Sequence, residues 1–250
     1  MPAFTRPLFA VAIGLLALAP RASAAVSVTT NAEAAPAPGG ASFTPSYVVS
    51  STDLINGRLP TASAGLFDLE LGGGLPVLTD GAYGTITQPG GAPDRSHAAL
   101  ATVGGGSGSG QFVTYTLDTA ASPLGFAIQR IDLYGGWNDS GRDQQFFALS
   151  YSTVNNPGTF IPLATGNFNP AVPADTQSAT RLTVTENALP NLASGVGAIR
   201  FDFAGTPGPE NGYVGYAELD VLGTAIVPEP AGAVMGAGAA GLLLARRRRR

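Results

Sequence analysis

Between Phe43 and Gly223 the chain is cut at short intervals by Gly, Pro, Asn and Asp, and within those intervals apolar and polar residues alternate. Phe112, Thr114 and Thr116 fall on one face of an extended segment, Val113, Tyr115 and Leu117 on the other. Ile199, Phe201 and Phe203 alternate with Arg200 and Asp202, Ile131 and Leu133 with Asp132, and Leu219 and Val221 with Asp220. The clearest predicted strands are Phe112–Leu117, Ile128–Tyr134, Gln145–Ser152, Arg181–Thr185, Ala198–Phe203 and Gly215–Leu222. No twelve-residue stretch in this region has a helical period free of Gly and Pro. Half-buried antiparallel strands in two layers follow: an all-β sandwich of jelly-roll type, one domain over residues 43–225 without internal repeats.

The two ends follow a different pattern. Met1 to Ala24 reads as a secretory signal, with Arg6, an apolar run from Leu8 to Ala19, and Ala22-Ser23-Ala24 as a small-x-small cleavage site. Residues 25–42, rich in Ala, Pro and Gly from Asn31 onward, are expected to be a flexible lead-in. At the other end Pro228 and Pro230 bracket Glu229 and enforce extended backbone. Ala231 to Ala245 then carries no charge and is expected to form one short transmembrane helix, followed by Arg246–Arg250. Fifteen residues span roughly 22 Å as a helix, short of the ~30 Å hydrocarbon core, and snorkelling arginines stretch that reach. The arginine cluster places the bulk of the chain on the far side of the membrane.

Val227-Pro228-Glu229-Pro230, a short apolar helix and an arginine run, in that order, resemble the PEP-CTERM sorting signal of Gram-negative bacteria. The resemblance covers residues 227–250. It implies export through the Sec machinery, transient retention in the inner membrane, and removal of the tail by an exosortase, a membrane cysteine protease. Pro228, Glu229 and Pro230 would be its recognition residues, and the product would reach the cell surface or extracellular matrix.

Composition narrows the chemistry. Charged residues are only 12%, there is no Cys, and all 13 basic residues are Arg. An exported fold therefore stands without disulfides, and thiolate metal sites and thiol nucleophiles are excluded. Between Ala25 and Ile226 six arginines face sixteen acids, a net charge of about −10, which repels nucleic acid and suits divalent cations, neutral glycans or plain solubility.

Several segments resemble the galactose-binding-like jelly roll of discoidin-type domains and carbohydrate-binding modules. They are Asp53-Leu54-Ile55-Asn56-Gly57, Leu78-Thr79-Asp80-Gly81, the block from Ile128 to Leu163, and Gly215-Tyr216-Ala217-Glu218-Leu219-Asp220-Val221. The resemblance implies a structural Ca2+ where the Asp-Gly turn meets a Glu of the last strand, here Asp80 and Glu218. The Trp that commonly follows that turn is absent; Tyr83 and Gly84 stand there instead. Read without the resemblance, Asp80 is a turn former beside Gly81 and Glu218 a solvated strand residue.

The loop Gly135–Gln144 holds the only Trp, with Asn138, Asp139 and Arg142 close by. An aromatic face and bidentate polar groups are the chemistry that grips a sugar, so Trp137, Asn138, Asp139 and Arg142 are candidate ligand contacts. The alternative is that Trp137 caps the core and Arg142 pairs with Asp143 across a turn. His97, the only histidine, lies beside Ser96 and Asp94, but adjacent loop residues diverge and no nucleophile elbow is present. Asp139, Asp143, Glu210 and Glu218 supply carboxylates, yet nothing singles out a catalytic pair. The expectation is therefore a non-catalytic structural component of an exopolysaccharide layer, or alternatively a lectin-like module with a structural calcium.

Overall fold

One antiparallel ten-stranded sheet folds over into two layers around a main apolar core, with a second, smaller cluster around Tyr83, Ile86 and Tyr134, in the computed structural model, which describes residues 26–68, 73–86, 99–102, 110–138, 141–203 and 213–227. The strands are β1 (Val26–Ala34), β2 (Ala62–Ala64), β3 (Ala99–Thr102), β4 (Phe112–Thr116), β5 (Phe126–Trp137), β6 (Gln145–Thr153), β7 (Asn156–Phe168), β8 (Ser178–Glu186), β9 (Ala193–Asp202) and β10 (Tyr213–Ala225). One layer runs β1-β8-β5-β10-β3 and the other β7-β6-β9-β4-β2. The start of β5 also bonds β9 at Phe126↔Val196 and Ile128↔Ala193, so the layers join at one corner. The only helical element among the described residues is a 3-10 turn at Leu75–Leu78, with Pro76 in its first turn.

The alternation read from the sequence sets the inner faces. Ile131, Leu133, Leu182, Val184, Leu219 and Val221 come from the first layer. Val113, Tyr115, Phe147, Leu149, Ile199 and Phe201 come from the second. Six predicted strands are present, most of them longer than expected, because backbone pairing extends past the alternating segment that nucleates each strand.

The flexible lead-in expected over residues 25–42 is corrected. Val26–Ala34 is a strand, paired with β8 over nine residues from Val26↔Glu186 to Ala34↔Ser178. Val26 and Val28 pack against the core, while most of the strand is exposed, so its placement rests mainly on the ladder to β8.

The secretory signal, the Pro228-Glu229-Pro230 motif, the expected tail helix and His97 lie outside the described residues. No helix among the described residues is long and apolar enough to cross a membrane.

Candidate metal centre and the loop around Trp137

After Tyr216, β10 no longer pairs with β3. The loop at residues 50–56 satisfies its free edge: Leu54 N–H donates to the Val221 carbonyl (2.9 Å), and Val221 N–H donates to Asp53 Oδ1 (3.2 Å). A β-bulge interrupts the β10–β5 register between Tyr216 and Glu218, and bulges of this kind re-aim the side chains beside them. Asp53, Glu218 and Asp220 each bring a carboxylate oxygen to one point, all within 4.8 Å of one another.

The hydrogen bonding at this point is unbalanced. Asp53 Oδ1 accepts from Ile55 N–H (2.9 Å) as well as Val221 N–H. Glu218 Oε2 accepts from Gly81 N–H (3.2 Å), and Asp220 Oδ2 from Ser50 N–H (2.8 Å). The second oxygen of each carboxylate, Asp53 Oδ2, Glu218 Oε1 and Asp220 Oδ1, has no hydrogen-bond partner, and neither does the amide oxygen of Asn56. Glu218 is 0% exposed and Asp220 1%. Burial, reinforced by the neighbouring Asp220, pushes the Glu218 carboxyl up to about 9. Burial also raises Asp220 to about 7, with Asp53 and Asp132 adding to the shift. Asp53 is raised as well, mainly by burial.

Buried carboxylates are tolerated when paired, protonated or bound to a metal. The next carboxylate, Asp132, sits opposite Asp220 on β5 but is spoken for by Arg130 Nε (2.8 Å) and the Thr183 hydroxyl (2.5 Å). No cationic side chain is paired with Asp53, Glu218 or Asp220 among the described residues. The donor set is all oxygen, and oxygens sharing a calcium at 2.3–2.6 Å lie within about 5 Å of one another. The three carboxylates fit a hard divalent cation.

Of the pair matched by sequence, Glu218 is in the cluster. Asp80 is exposed and accepts from Ala82 N–H (3.0 Å) in a local turn. The Asp80-Gly81 turn meets Glu218 through the Gly81 backbone. Gly81 has φ +76, and a Cβ there would stand 2.8 Å from Asn56 Oδ1, so the turn requires glycine and seats Asn56 beside it. Asp53 and Asp220 stand beside Glu218 in the cluster, and Asp80 lies near enough for its charge to help raise the Glu218 carboxyl.

The loop after β5 is built differently. Trp137 is 2% exposed, with the Arg142 guanidinium 5.1 Å from its ring centroid and 5.2 Å from that of Tyr213. Arg142 thus lies between two aromatic rings, and its carbonyl accepts Gly215 N–H (3.0 Å). Asn138 is buried and Asp139 lies outside the described residues. The indole is buried beside Arg142 and presents no open face to a sugar. Asp143 is also buried and accepts from the Ser178 hydroxyl (2.6 Å) on β8.

Compared with known proteins, the chain matches no family model and no curated sequence.

Proposed function

We propose that this chain is an exported, non-catalytic surface or matrix component whose jelly-roll sandwich is locked by a calcium ion held at Asp53, Glu218 and Asp220. The observation that carries the calcium is the cluster itself: three carboxylates converge, two of them fully buried, and each leaves one oxygen without a donor. Asn56 and the backbone carbonyls of the adjoining turns are further oxygen ligands of the kind calcium recruits. Bound there, the ion supplies positive charge that ties the loop at residues 50–56 to β10. It has a structural role only. Nothing in the cluster pairs a nucleophile with a base, which favours a structural component over a hydrolase.

The delivery half of the proposal rests on the resemblance of residues 227–250 to a PEP-CTERM signal, with an exosortase as processing partner. Intact-mass measurement from cells with and without that enzyme tests it: loss of the last twenty or so residues only in its presence is expected, and an intact Arg246–Arg250 end in both strains sinks it. The calcium half is tested by thermal unfolding after chelation and after stepwise addition of Ca2+. A midpoint rise in the native chain that disappears in Asp220→Asn is expected; an unchanged midpoint overturns it.

A further inference from the structure

The outer face of the second layer forms a groove. Register aligns Thr114, Arg200, Ser150 and Pro162 in one row across β4, β9, β6 and β7. Phe112, Asp202, Ala148 and Thr165 form the next row. Two cavities sit on this face. One of about 530 Å3 is lined by Ala148, Ser150, Thr165, Arg200 and Asp202. The other, about 440 Å3, is lined by Thr114, Thr116, Ser152, Ala198 and Phe160. Each is of the size of a small-molecule cleft. They adjoin, because Ser150 and Ser152 are neighbours on one face of β6, as Arg200 and Ala198 are on β9. The trough runs along β6 and β9.

Its chemistry is narrow. Backbone groups in the middle strands β6, β9 and β4 are used in ladders on both sides, so recognition must come from side chains. These are small hydroxyl and methyl groups along the strand rows, with Leu163 and Pro162 beside the first cavity and Val154 and Pro157 beside the second. Arg200 is held over the Phe112 ring (3.7 Å) and bonded to Asp202 (3.0 Å), which fixes its fork and cancels its charge. A fixed guanidinium beside a carboxylate offers donors and acceptors side by side, the arrangement that grips vicinal hydroxyls. Phe160 supplies an aromatic surface at the far end. A polyanion would meet no net positive charge. A protein partner would find no fully exposed aromatic anchor along the strand rows at the centre of the face, where the side chains are Ala, Ser and Thr and the apolar Leu163 and Pro162 stand at the rim on the edge strand.

We propose that this groove binds a neutral polysaccharide chain, with Arg200 and Asp202 as its central contacts. The biological sense of this rests on the surface reading above, whose partner it names.

The test is affinity electrophoresis of the full chain in calcium, in gels containing soluble β-glucan, mannan, galactan or dextran, with alginate as the polyanion. Retardation by at least one neutral polymer and none by alginate is expected. Arg200→Ala should weaken that affinity at least tenfold, and Thr165→Trp, on an exposed strand position that fills the first cavity, should abolish it. Both variants should keep the thermal midpoint and calcium response that show an intact fold. No retardation by any neutral polymer overturns the proposal, as does retardation by alginate alone or retardation unchanged in both variants. Mass measurement separates this from the surface reading. An unprocessed chain that is still retarded would refute delivery and leave the groove standing; a processed chain that is never retarded would refute only the groove.

Discussion

On one side of the sandwich the chain crosses its own sheet. The segment from Phe43 to Asn56 bridges to Ile86, packs Tyr47 against Tyr83 and Tyr134, and bonds β10 through Ser50, Asp53 and Leu54. On the other side the described residues leave β6, β9 and β4 facing an open trough of small polar side chains. The first face buries acids and the second exposes an ion pair. Burying a carboxylate without a counter-charge is expensive, so the crossed face needs a proton or a cation to be stable. The open face has no such need: Arg200 and Asp202, both part-exposed and paired with each other, contribute little to stability. One face is suited to holding the fold together and the other to meeting a partner.

The largest effect should come from the core that both faces share. Phe201 is fully buried between the layers, edge-on to Tyr115. Phe201→Ala should cost about 3–5 kcal/mol, read as a shift in the denaturant midpoint, and should weaken both calcium response and polysaccharide retardation. If only one of the two falls, the faces are not coupled through that core.

Calcium comes next. A ligand at a hundred times its dissociation constant adds about 2.7 kcal/mol, which for a domain of this size is a rise of roughly 5–10 °C. Glu218→Gln and Asp220→Asn should lose that rise. Neither should be less stable than the native chain in chelator at pH 7, because burial already favours a neutral side chain at both positions: a Glu218 raised to about 9 is protonated there and an Asp220 raised to about 7 is half protonated. A large loss of stability in chelator would mean that the carboxylates have partners other than a cation.

A smaller effect is the pH dependence without calcium. Folding raises Glu218 from its ordinary 4.5 to about 9 and Asp220 from 3.8 to about 7. The folded state therefore holds these protons more tightly than the unfolded one, so stability is greatest at low pH and falls as pH rises. In chelator the thermal midpoint should decline from about pH 4 to 7 through both groups and onward to about 9 through Glu218. Saturating calcium should flatten the slope, since the ion replaces the protons. A midpoint that instead climbs over this range would contradict the burial of the pair.

The smallest expected effect lies on the open face. Arg200→Ala should change stability by less than about 1 kcal/mol, as for other part-exposed pairs, and leave the calcium shift intact. A larger loss, measured by denaturant unfolding, would make Arg200 part of the scaffold and weaken the contrast between the faces.

The clearest strands were legible because alternation is local: Ile199, Phe201 and Phe203 point one way whatever their partners are. β1 was not legible, since Val26–Ala34 has one weakly apolar face and is ordered mainly by the backbone of β8. β7 was not legible, because Pro157, Gly158 and Pro162 break its pattern, and an edge strand tolerates them. At the candidate site Glu218 could be picked out by resemblance. Asp53 and Asp220 stood in the same quoted segments without any sign of which would converge. Trp137 illustrates the reverse: its loop has the composition of a sugar site, and only packing shows the indole covered by Arg142.

By itself, the sequence determined the all-β class, the inner faces of the main strands, the acidic balance and the absence of thiol chemistry. Each of these depends on residue type or on neighbours two positions apart. The tertiary structure alone decided that Asp53 meets Glu218 and Asp220, that a bulge and a glycine turn hold them there, and that the described residues leave one sheet face uncovered. These depend on pairings between residues distant in sequence, such as Ser150 with Arg200, Tyr134 with Glu218 and Asp53 with Val221, set by register and by how the chain crosses the sheet, which no local period encodes.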